Sequence, residues 1–299
     1  MSDADATPDE EPRDLDEPRA KDPRDVPVRF SALKMMARSA MHYAHAALYR
    51  TESTAPQRLG TAAHAATFGT PELAVFGPME FEGKQYKGAK SGKAWEAFKA
   101  EHADKVIVLI AEARKAKAMA AAIRGDEQAA PLIFGPDLAG AGMLYEHEVQ
   151  WDIPWVGGKT RRCAGRIDCL GPSWLVDLKA LRDAQPSRFV NVGRWAAYHS
   201  QVVWYADGCA AAGLGNVEPM ICVVENTAPY VVVTFRLSPN AIEDGRRMYM
   251  QWLEKLRRAE ENNAWHGYTD GCIADFDMPD DSPFALDFTG SDDQPQYAA

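Results

Sequence analysis

The sequence lacks the features that define several large classes of protein. No uninterrupted apolar run approaches the roughly 18 residues of a membrane-spanning helix, so no membrane span is predicted. The polar, acidic N-terminus has neither the basic region nor the apolar stretch of a secretory leader. No two cysteines form a C-x-x-C pair, which argues against a zinc ribbon or a cysteine-bound cluster. Their odd number suits a reducing cytoplasm. The five are Cys163, Cys169, Cys209, Cys222 and Cys272.

Charge is plentiful but unevenly distributed along the 299 residues. Of the net charge of −10, residues 1–26 carry −6 and residues 266–299 carry −8, which leaves +4 for residues 27–265. A mildly basic central part permits a partner with a phosphate backbone, although +4 alone is weak evidence. The sequence predicts a disordered acidic tail over residues 1–27, a folded domain over 28–268 and an acidic, flexible tail over 269–299.

Hydrophobic periodicity predicts an α/β domain with an N-terminal helical part. Helical patterns cover residues 31–48, 55–68 and 94–124, and residues 69–93 are punctuated by Gly and Pro and predict a loop. Strand patterns then cover 143–153, 160–170 and 173–181. A long helix over 189–213, strands over 218–226 and 230–237, and a charged helix over 239–262 complete the predicted order.

Two aspartates and a lysine lie on predicted strands, where Val and Ile would be ordinary. Asp168 ends one strand and Asp177 lies within the next, beyond a tight Gly-Pro turn. Adjacent antiparallel strands could bring both carboxylates together, and a hard divalent cation would relieve their repulsion. Lys179 shares a strand face with Asp177 because side chains alternate along a strand. A metal with a nearby amine is what phosphodiester hydrolysis requires.

Chance is the alternative for the acid-x-Lys tripeptide. A chain of this composition should contain it about twice, and it occurs twice, the second time at Glu82–Lys84 in a Gly-rich stretch. The tripeptide alone is therefore uninformative. The strand context of the tripeptide and the preceding Asp168 make a metal site as good an explanation as chance.

Several motifs together resemble one nuclease superfamily. Gly165-Arg-Ile-Asp168 followed by Val-Asp177-Leu-Lys179 resembles the PD-(D/E)xK signature. Gln201-Val-Val-Trp-Tyr205 matches the Q-x-x-x-Y motif of its RecB-like branch, and "LGTAAHAATF" is similar to the G-x-x-x-H helix of that branch. With "WHGY" at 265–268, the set resembles the phage and prophage exodeoxyribonuclease VIII group, relatives of lambda exonuclease, over about residues 30–268.

The resemblance implies a PD-(D/E)xK core, a central mixed sheet flanked by helices, and a set of site residues. Implied metal ligands are His64, Asp168, Asp177 and the main-chain carbonyl of Leu178. Implied catalytic residues are Lys179 as the amine, with Asp177, Asp168, Glu148, Gln201 and Tyr205.

Alternatives remain open for some of these residues. Glu148 is preferred as the upstream acid over Glu146, which lies two residues away on the same strand face. His64 is alternatively a packed histidine on an Ala-rich helix, and Tyr205 a core residue. Tyr198 and His199 could support Gln201 from the same helix.

Basic residues near these motifs could contact DNA phosphates. Four lysines recur every third residue in the predicted loop, where a solvated flexible loop is the alternative: Lys84, Lys87, Lys90 and Lys93. Arg161, Arg162 and Arg166 lie on the strand that leads to Asp168.

The resemblance also implies an activity. It implies a processive 5′→3′ exonuclease on double-stranded DNA ends that uses Mg²⁺, or Mn²⁺ in its place, and leaves 3′ single strands for recombination. It further implies a ring-shaped homo-oligomer, a single-strand-annealing recombinase as partner, and phage or prophage origin with action in the bacterial cytoplasm. No P-loop is present, so a stand-alone nuclease rather than a helicase fusion is expected. An endonuclease on the same core and a catalytically silent DNA-binding or anti-host protein remain alternatives.

Overall fold

A six-stranded mixed sheet forms the centre of the fold in this computed structural model, which describes residues 17–49, 54–269 and 272–277. Its strands run in the order β1-β7-β8-β9-β10, with β6 also paired to β7. They are β1 (Val28–Arg29), β6 (Leu144–Pro154), β7 (Thr160–Leu170), β8 (Trp174–Leu181), β9 (Glu218–Glu225) and β10 (Val232–Arg236).

Strand β7 pairs with three other strands of the sheet. One edge pairs with β6 along its whole length, from Leu170 opposite Leu144 to Thr160 opposite Pro154. Strand β8 pairs with the other edge only at Cys169 and Leu170, and β1 pairs at Cys163–Ala164. Because a strand has two edges, β8 and β1 share the second edge and leave a gap between them. The sheet forks at this gap, immediately before Cys169.

Alternating side chains give the sheet two apolar faces. On β9, Ile221 and Val223 join one hydrophobic cluster, whereas Met220, Cys222 and Val224 join another. The first cluster includes side chains of α1 (Phe30–Leu33), α2 (Ala40–Leu48), α8 (Tyr198–Ala211) and α9 (Pro239–Asn262). The second includes those of α3 (Ala55–Phe68), α5 (Ile110–Gly125) and α6 (Ala129–Phe134). None of the described helices is long and apolar enough to cross a membrane.

The chain departs from the predicted elements where non-local pairing decides the structure. The predicted loop over 69–93 contains β2 (Leu73–Phe76), β3 (Met79–Phe81) and β4 (Lys84–Tyr86), and the predicted helix over 94–124 is divided into α4 (Lys93–Glu101), β5 (Val106–Leu109) and α5. The β-branched run of β5 pairs in parallel with β2, so a strand partner distant in sequence overrides helical composition.

The long helix predicted over 189–213 is two helices. The first, α7 (Pro186–Ala196), ends at Ala197, whose φ of 60° lies in the left-handed region, and α8 begins at the next residue. A non-glycine residue rarely adopts this conformation. The break gives α8 its own direction, and α8 carries the Q-x-x-x-Y motif.

A buried arginine anchors the described N-terminal segment. Arg161 is 6% exposed and donates to the main-chain carbonyls of Pro23 and Val26, at 3.0 and 2.8 Å, and to Glu260 at 3.1 Å. Arg161 therefore has a structural role, and its burial and internal hydrogen bonds do not support its predicted DNA contact. Residues 17–27 also differ from the predicted disordered tail, while residues 1–16, 270–271 and 278–299 of the predicted tails lie outside the described residues.

Removal of residues 1–26 is expected to lower the melting temperature by several degrees. It would leave two donors of the buried Arg161 without acceptors, at about 1–3 kcal/mol each, and 1 kcal/mol corresponds to roughly 2–4 °C in a domain of this size. Removal of residues 1–16 is the control and should leave the melting temperature unchanged. Equal melting temperatures for the two truncations would contradict the anchoring role of Arg161.

Candidate active site

Two buried carboxylates face each other at the fork of the sheet. The β7–β8 register, extended by one residue from Cys169 opposite Val176, places Asp168 opposite Asp177. Asp168 is 9% exposed and Asp177 only 2%. Asp168 Oδ2 accepts the main-chain N–H of Leu178 at 2.8 Å, and this bond spans the point where the strands separate. Buried carboxylates this close require a compensating positive charge.

Lys179 supplies one such charge. Its Nζ lies 2.5 Å from Asp177 Oδ2, an ion pair outside hydrogen-bond geometry, and donates to Gln201 Oε1 at 3.2 Å. Burial opposes the charged amine, but Asp177 and Asp168 outweigh it and raise the pKa of Lys179. The amine is therefore firmly protonated beside the two carboxylates.

His64 reaches the same place from α3. This helix begins with a Thr54–Gln57 capping box and ends at Gly69, whose φ of 74° suits glycine. His64 Nε2 lies 2.8 Å from the carbonyl oxygen of Leu178. Because a carbonyl can only accept, Nε2 carries the hydrogen, and the ring is fixed with Nδ1 facing the acids. Nδ1 is 3.5 Å from Glu146 Oε1 and 3.6 Å from Asp168 Oδ1.

The electrostatics of this cluster favour a positive charge between its members. Burial lowers the pKa of His64, but Asp168 and Glu146 outweigh burial and raise it to about 9. Burial raises the pKa of Asp168 to about 6, with His64 opposing and Asp177 adding to the rise. A nitrogen lone pair aimed at two carboxylates is stable only if a proton or a cation lies between them.

The donor set fits a divalent cation. Ligand atoms of His64, Glu146 and Asp168 all lie within 4.8 Å of one another. Asp177 Oδ2 is buried beside the Lys179 ammonium, which is the counter-ion of Asp177, and a cation at the fork would supply further positive charge to the facing carboxylate of Asp168. One imidazole nitrogen with carboxylate oxygens suits Mg²⁺ or Mn²⁺. The Leu178 carbonyl orients His64 here, and its own ligation stays a prediction.

Glu146, rather than Glu148, lies beside His64 and Asp168, so the geometry does not support the preference for Glu148. The β6–β7 pairs on either side place Glu146 opposite Asp168 and Glu148 opposite Arg166. Glu148 instead forms a salt bridge with Arg29. Strand alternation could not distinguish Glu146 from Glu148, because both lie on one face. Counting the pairs of β6 and β7 back from the Gly157–Gly158 turn would have shown which of the two acids lies opposite Asp168.

The Q-x-x-x-Y residues support the amine. Gln201 accepts from Lys179 and donates through Nε2 to Tyr205 OH at 3.1 Å. A Cβ added to Gly165 would lie 2.8 Å from the Tyr205 ring. Glycine at this position of the motif therefore leaves the space that the tyrosine ring occupies. Burial and then Asp177 raise the pKa of Tyr205 to about 12, which keeps its hydroxyl protonated.

The two predicted supporting residues take different places. The Tyr198 ring centroid lies 4.9 Å from Lys179 Nζ, a cation–π contact with the amine itself rather than with Gln201. His199 lies 3.2 Å from Asp244 on α9 and contributes to helix packing instead.

Two cavities meet at the cluster. One, of about 900 Å³, is lined by His64, Asp168, Asp177, Lys179, Gln201 and Tyr205, together with Glu148 and the basic residues Arg19, Arg29 and Arg166. The other, of about 530 Å³, lies towards α3 and is lined by Glu146, the Leu178 backbone region and Tyr198. Sequence reasoning missed Arg19 and Arg29, because neither lies in a motif.

The remaining predicted DNA contacts are scattered. Arg166 lines both cavities and lies 3.0 Å from Glu146, whereas Arg162 pairs with Asp152 at 2.6 Å on the surface. Lys90 pairs with Glu112 at 3.2 Å. Within the described part of the chain, Lys84, Lys87 and Lys93 are exposed and line neither of these two cavities.

Glu146→Gln is expected to weaken Mn²⁺ binding at least tenfold, because it removes a carboxylate from the cluster. Glu148→Gln is the matched control, two residues along the same strand, and should change the affinity less than about threefold. Calorimetric titration of each purified variant with Mn²⁺ measures this. An equal loss in the two variants would contradict the preference for Glu146 and show that Glu148 contributes equally to cation binding.

His64→Ala is expected to raise the metal concentration needed for activity at least tenfold, with partial recovery at high Mn²⁺. Mn²⁺ binds the remaining ligands more tightly than Mg²⁺ does. His147→Ala, next to Glu146 but on the opposite strand face, is the control. An unchanged Mg²⁺ requirement in His64→Ala would indicate a packed helix histidine.

Comparisons with known proteins agree with this geometry. A family model described as "PDDEXK-like domain of unknown function" (DUF3799) matches residues 29–274. A comparison of the chain with curated proteins found no match. A crystal structure described as a "putative exonuclease" from Eubacterium rectale is similar with a TM-score of 0.57 and 12% identity, covering 85% of this chain and 90% of that one. The crystal structure of SSO0001, at 18% identity and a TM-score of 0.24, covers 39% of this chain and 52% of that one, too little to support an argument.

Proposed function

Since the chain belongs to the PDDEXK-like domain family, we propose that it is a Mg²⁺-dependent exodeoxyribonuclease that degrades double-stranded DNA ends in the 5′→3′ direction. The predicted fold class is confirmed: a central mixed sheet flanked by helices forms a PD-(D/E)xK nuclease-like core. One observation carries the proposal. The fork of that sheet joins His64, Glu146 and Asp168 to the Asp177–Lys179 ion pair.

Each residue at the fork has a task in phosphodiester hydrolysis. His64, Glu146, Asp168 and Asp177 would hold the cation, and the Leu178 carbonyl keeps the imidazole in the ligating orientation. When bound, the cation would supply positive charge to the phosphate and make water more acidic. Lys179 presents a fixed ammonium group at the same place, where it can orient water or stabilise charge that develops on the phosphate. Gln201 and Tyr205 hold that amine in position.

The basic wall of the larger cavity supports DNA as the substrate. Arg19, Arg29 and Arg166 line it together with the buried carboxylates. Phosphates attract such residues without regard to sequence. Exonuclease action follows the motif resemblance given above. The description of the Eubacterium rectale structure also names an exonuclease.

The biological setting extends the proposal. Four further features rest on the motif resemblance alone. They are recombination that uses the 3′ strands, a ring-shaped homo-oligomer, an annealing recombinase as partner, and action in the cytoplasm of a phage-infected bacterium. Sedimentation of the purified protein with and without DNA tests the oligomer directly.

End-labelled linear duplexes test the activity. With Mg²⁺, the 5′ label should be released first and the 3′ strand should persist; EDTA and the Asp168→Asn variant should abolish both. Early release of the 3′ label would reverse the polarity. Cleavage of covalently closed circles would indicate the endonuclease alternative, since an exonuclease requires an end. Binding without metal-dependent cleavage would indicate a catalytically silent DNA-binding protein.

A further inference from the structure

One tryptophan is exposed to solvent beside the catalytic helix. All eight tryptophans lie within the described residues, and Trp195, at 92% exposure, is the only exposed one. It lies at the end of α7, where only Phe189 and Gly193 are buried. Val192, one helical turn earlier, is also exposed and lies on the same face. A large apolar ring left in water is unfavourable by itself and indicates a binding surface.

Chain geometry places the Cα atom of Trp195 near the candidate active site. Trp195 is three residues before Tyr198, whose ring contacts the Lys179 amine. Three residues span at most about 11 Å between Cα atoms. That length matches roughly three nucleotides at the 3.4 Å spacing of one DNA strand. A strand whose phosphate lies at Lys179 therefore brings a base a few nucleotides away within reach of Trp195.

The surroundings of Trp195 favour nucleic acid over another apolar protein surface. Helix α7 carries exposed Arg194 and exposed Arg188, the latter paired with Asp183 before the helix, and has no acidic residue of its own. Val190 is exposed as well as Val192, and exposed Asn191 separates the two valines. An aromatic ring among cations is the composition of single-strand binding platforms, in which a base stacks on the ring and cations meet the phosphates. A paired base inside a duplex has no free face for stacking, and a blunt end exposes a face only at its terminal pair, so a stacked base a few nucleotides from the end must be unpaired.

We infer that Trp195 is a stacking platform for an unpaired base of the DNA strand that occupies the catalytic site. The inference rests on the proposed function and adds a strand-separating surface to it. Trp195 is a binding and positioning residue here, because it does not contact the reacting atoms.

Binding measurements with Ca²⁺ replacing Mg²⁺, to slow cleavage, test the inference. The probes are a blunt duplex and the same duplex with a six-nucleotide unpaired end. Trp195→Ala should weaken binding of the unpaired end by about 5- to 100-fold, whereas Trp195→Phe should stay within about threefold of the wild type. Binding of the blunt duplex should change little. Phe276→Ala, which removes another exposed aromatic ring, is the matched control.

Salt dependence and fluorescence separate stacking from charge. Trp195→Ala should leave the salt slope unchanged, whereas Arg194→Gln should reduce it by about one phosphate contact. The unpaired end should quench wild-type tryptophan fluorescence, and Trp195→Phe should bind without that quenching. Equal affinity of the wild type and Trp195→Ala for the unpaired end would overturn the inference, as would an equal loss on both probes. A changed sedimentation mass with unchanged DNA affinity would identify Trp195 as a subunit contact instead. Failure of the wild type to bind either probe would overturn the proposed function with it.

Discussion

Lys179→Ala should lower kcat by about 10²- to 10⁴-fold, while Mg²⁺ affinity and DNA-end binding stay within a few-fold of the wild type. The amine carries positive charge and therefore cannot ligate the cation. Its interactions with water and with the reacting phosphate strengthen in the transition state rather than in the ground state, so the loss should appear in kcat. Single-turnover cleavage, with metal and DNA titrations beside it, measures the three quantities separately.

The structure narrows the role of this amine. Asp177 and Asp168 raise the pKa of Lys179 in the metal-free protein, so it is an ammonium group there. A general base must lose that proton when the cation neutralises the acids, whereas charge stabilisation needs no such loss. Lys179→Arg discriminates between these roles because guanidinium stays protonated. Substantial rescue by arginine would show that charge suffices, and a near wild-type rate for Lys179→Ala would remove the amine from the mechanism.

Loss of Lys179 also leaves Asp177 buried without its counter-ion, which can destabilise the fold by about 3–5 kcal/mol. Lys179→Gln offers a second variant that retains a donor for Gln201. Lys105→Ala, which breaks an ion pair with Glu72 on the surface, is the control for removal of a lysine. If Lys179→Gln melts as the wild type does and still loses kcat, the effect is catalytic.

The parts of this molecule that sequence predicted well are those with a local physical signal. Strands β7, β8 and β9 follow from apolar segments between turns, and Asp168 and Asp177 stand out because carboxylates are unfavourable on such buried strands. Strand alternation also placed Lys179 on the face of Asp177, where the structure has it. The helical period placed Gln201 and Tyr205 one turn apart, and they are hydrogen-bonded.

The parts that were missed depend on contacts distant in sequence. Arg161 has the appearance of a surface cation on a strand, and only the return of Pro23 and Val26 over it makes it a buried anchor. Strand β5 requires β2 as its partner, although the surrounding composition is helical. Glu146 differs from Glu148 only through the register against β7. No local sequence pattern predicts any of these three features.

Asp168→Asn should abolish cleavage, by on the order of 10³-fold or more, and should also abolish stabilisation by metal. Asp168 lies opposite Glu146 on one side and Asp177 on the other, and faces His64, so its charge contributes to the binding of any cation at the fork. Loss of the cation removes several kcal/mol of transition-state charge stabilisation. Asp183→Asn, which weakens a surface pair with Arg188, is the control.

Thermal melting of Asp168→Asn gives a readout that needs no activity. Burial raises the pKa of Asp168 to about 6, above its ordinary value of 3.8, so its ionisation opposes folding and metal-free stability declines as pH rises through that range. At pH 7.5 without metal, the neutral amide should therefore melt at the same temperature as the wild type or a few degrees higher. Mn²⁺ at about 100 times its dissociation constant should stabilise the wild type by about 2.7 kcal/mol, or roughly 5–10 °C, and should leave the variant unchanged. The order of the two melting temperatures should then reverse on addition of metal. A variant that gains the same stabilisation as the wild type would place the cation away from Asp168.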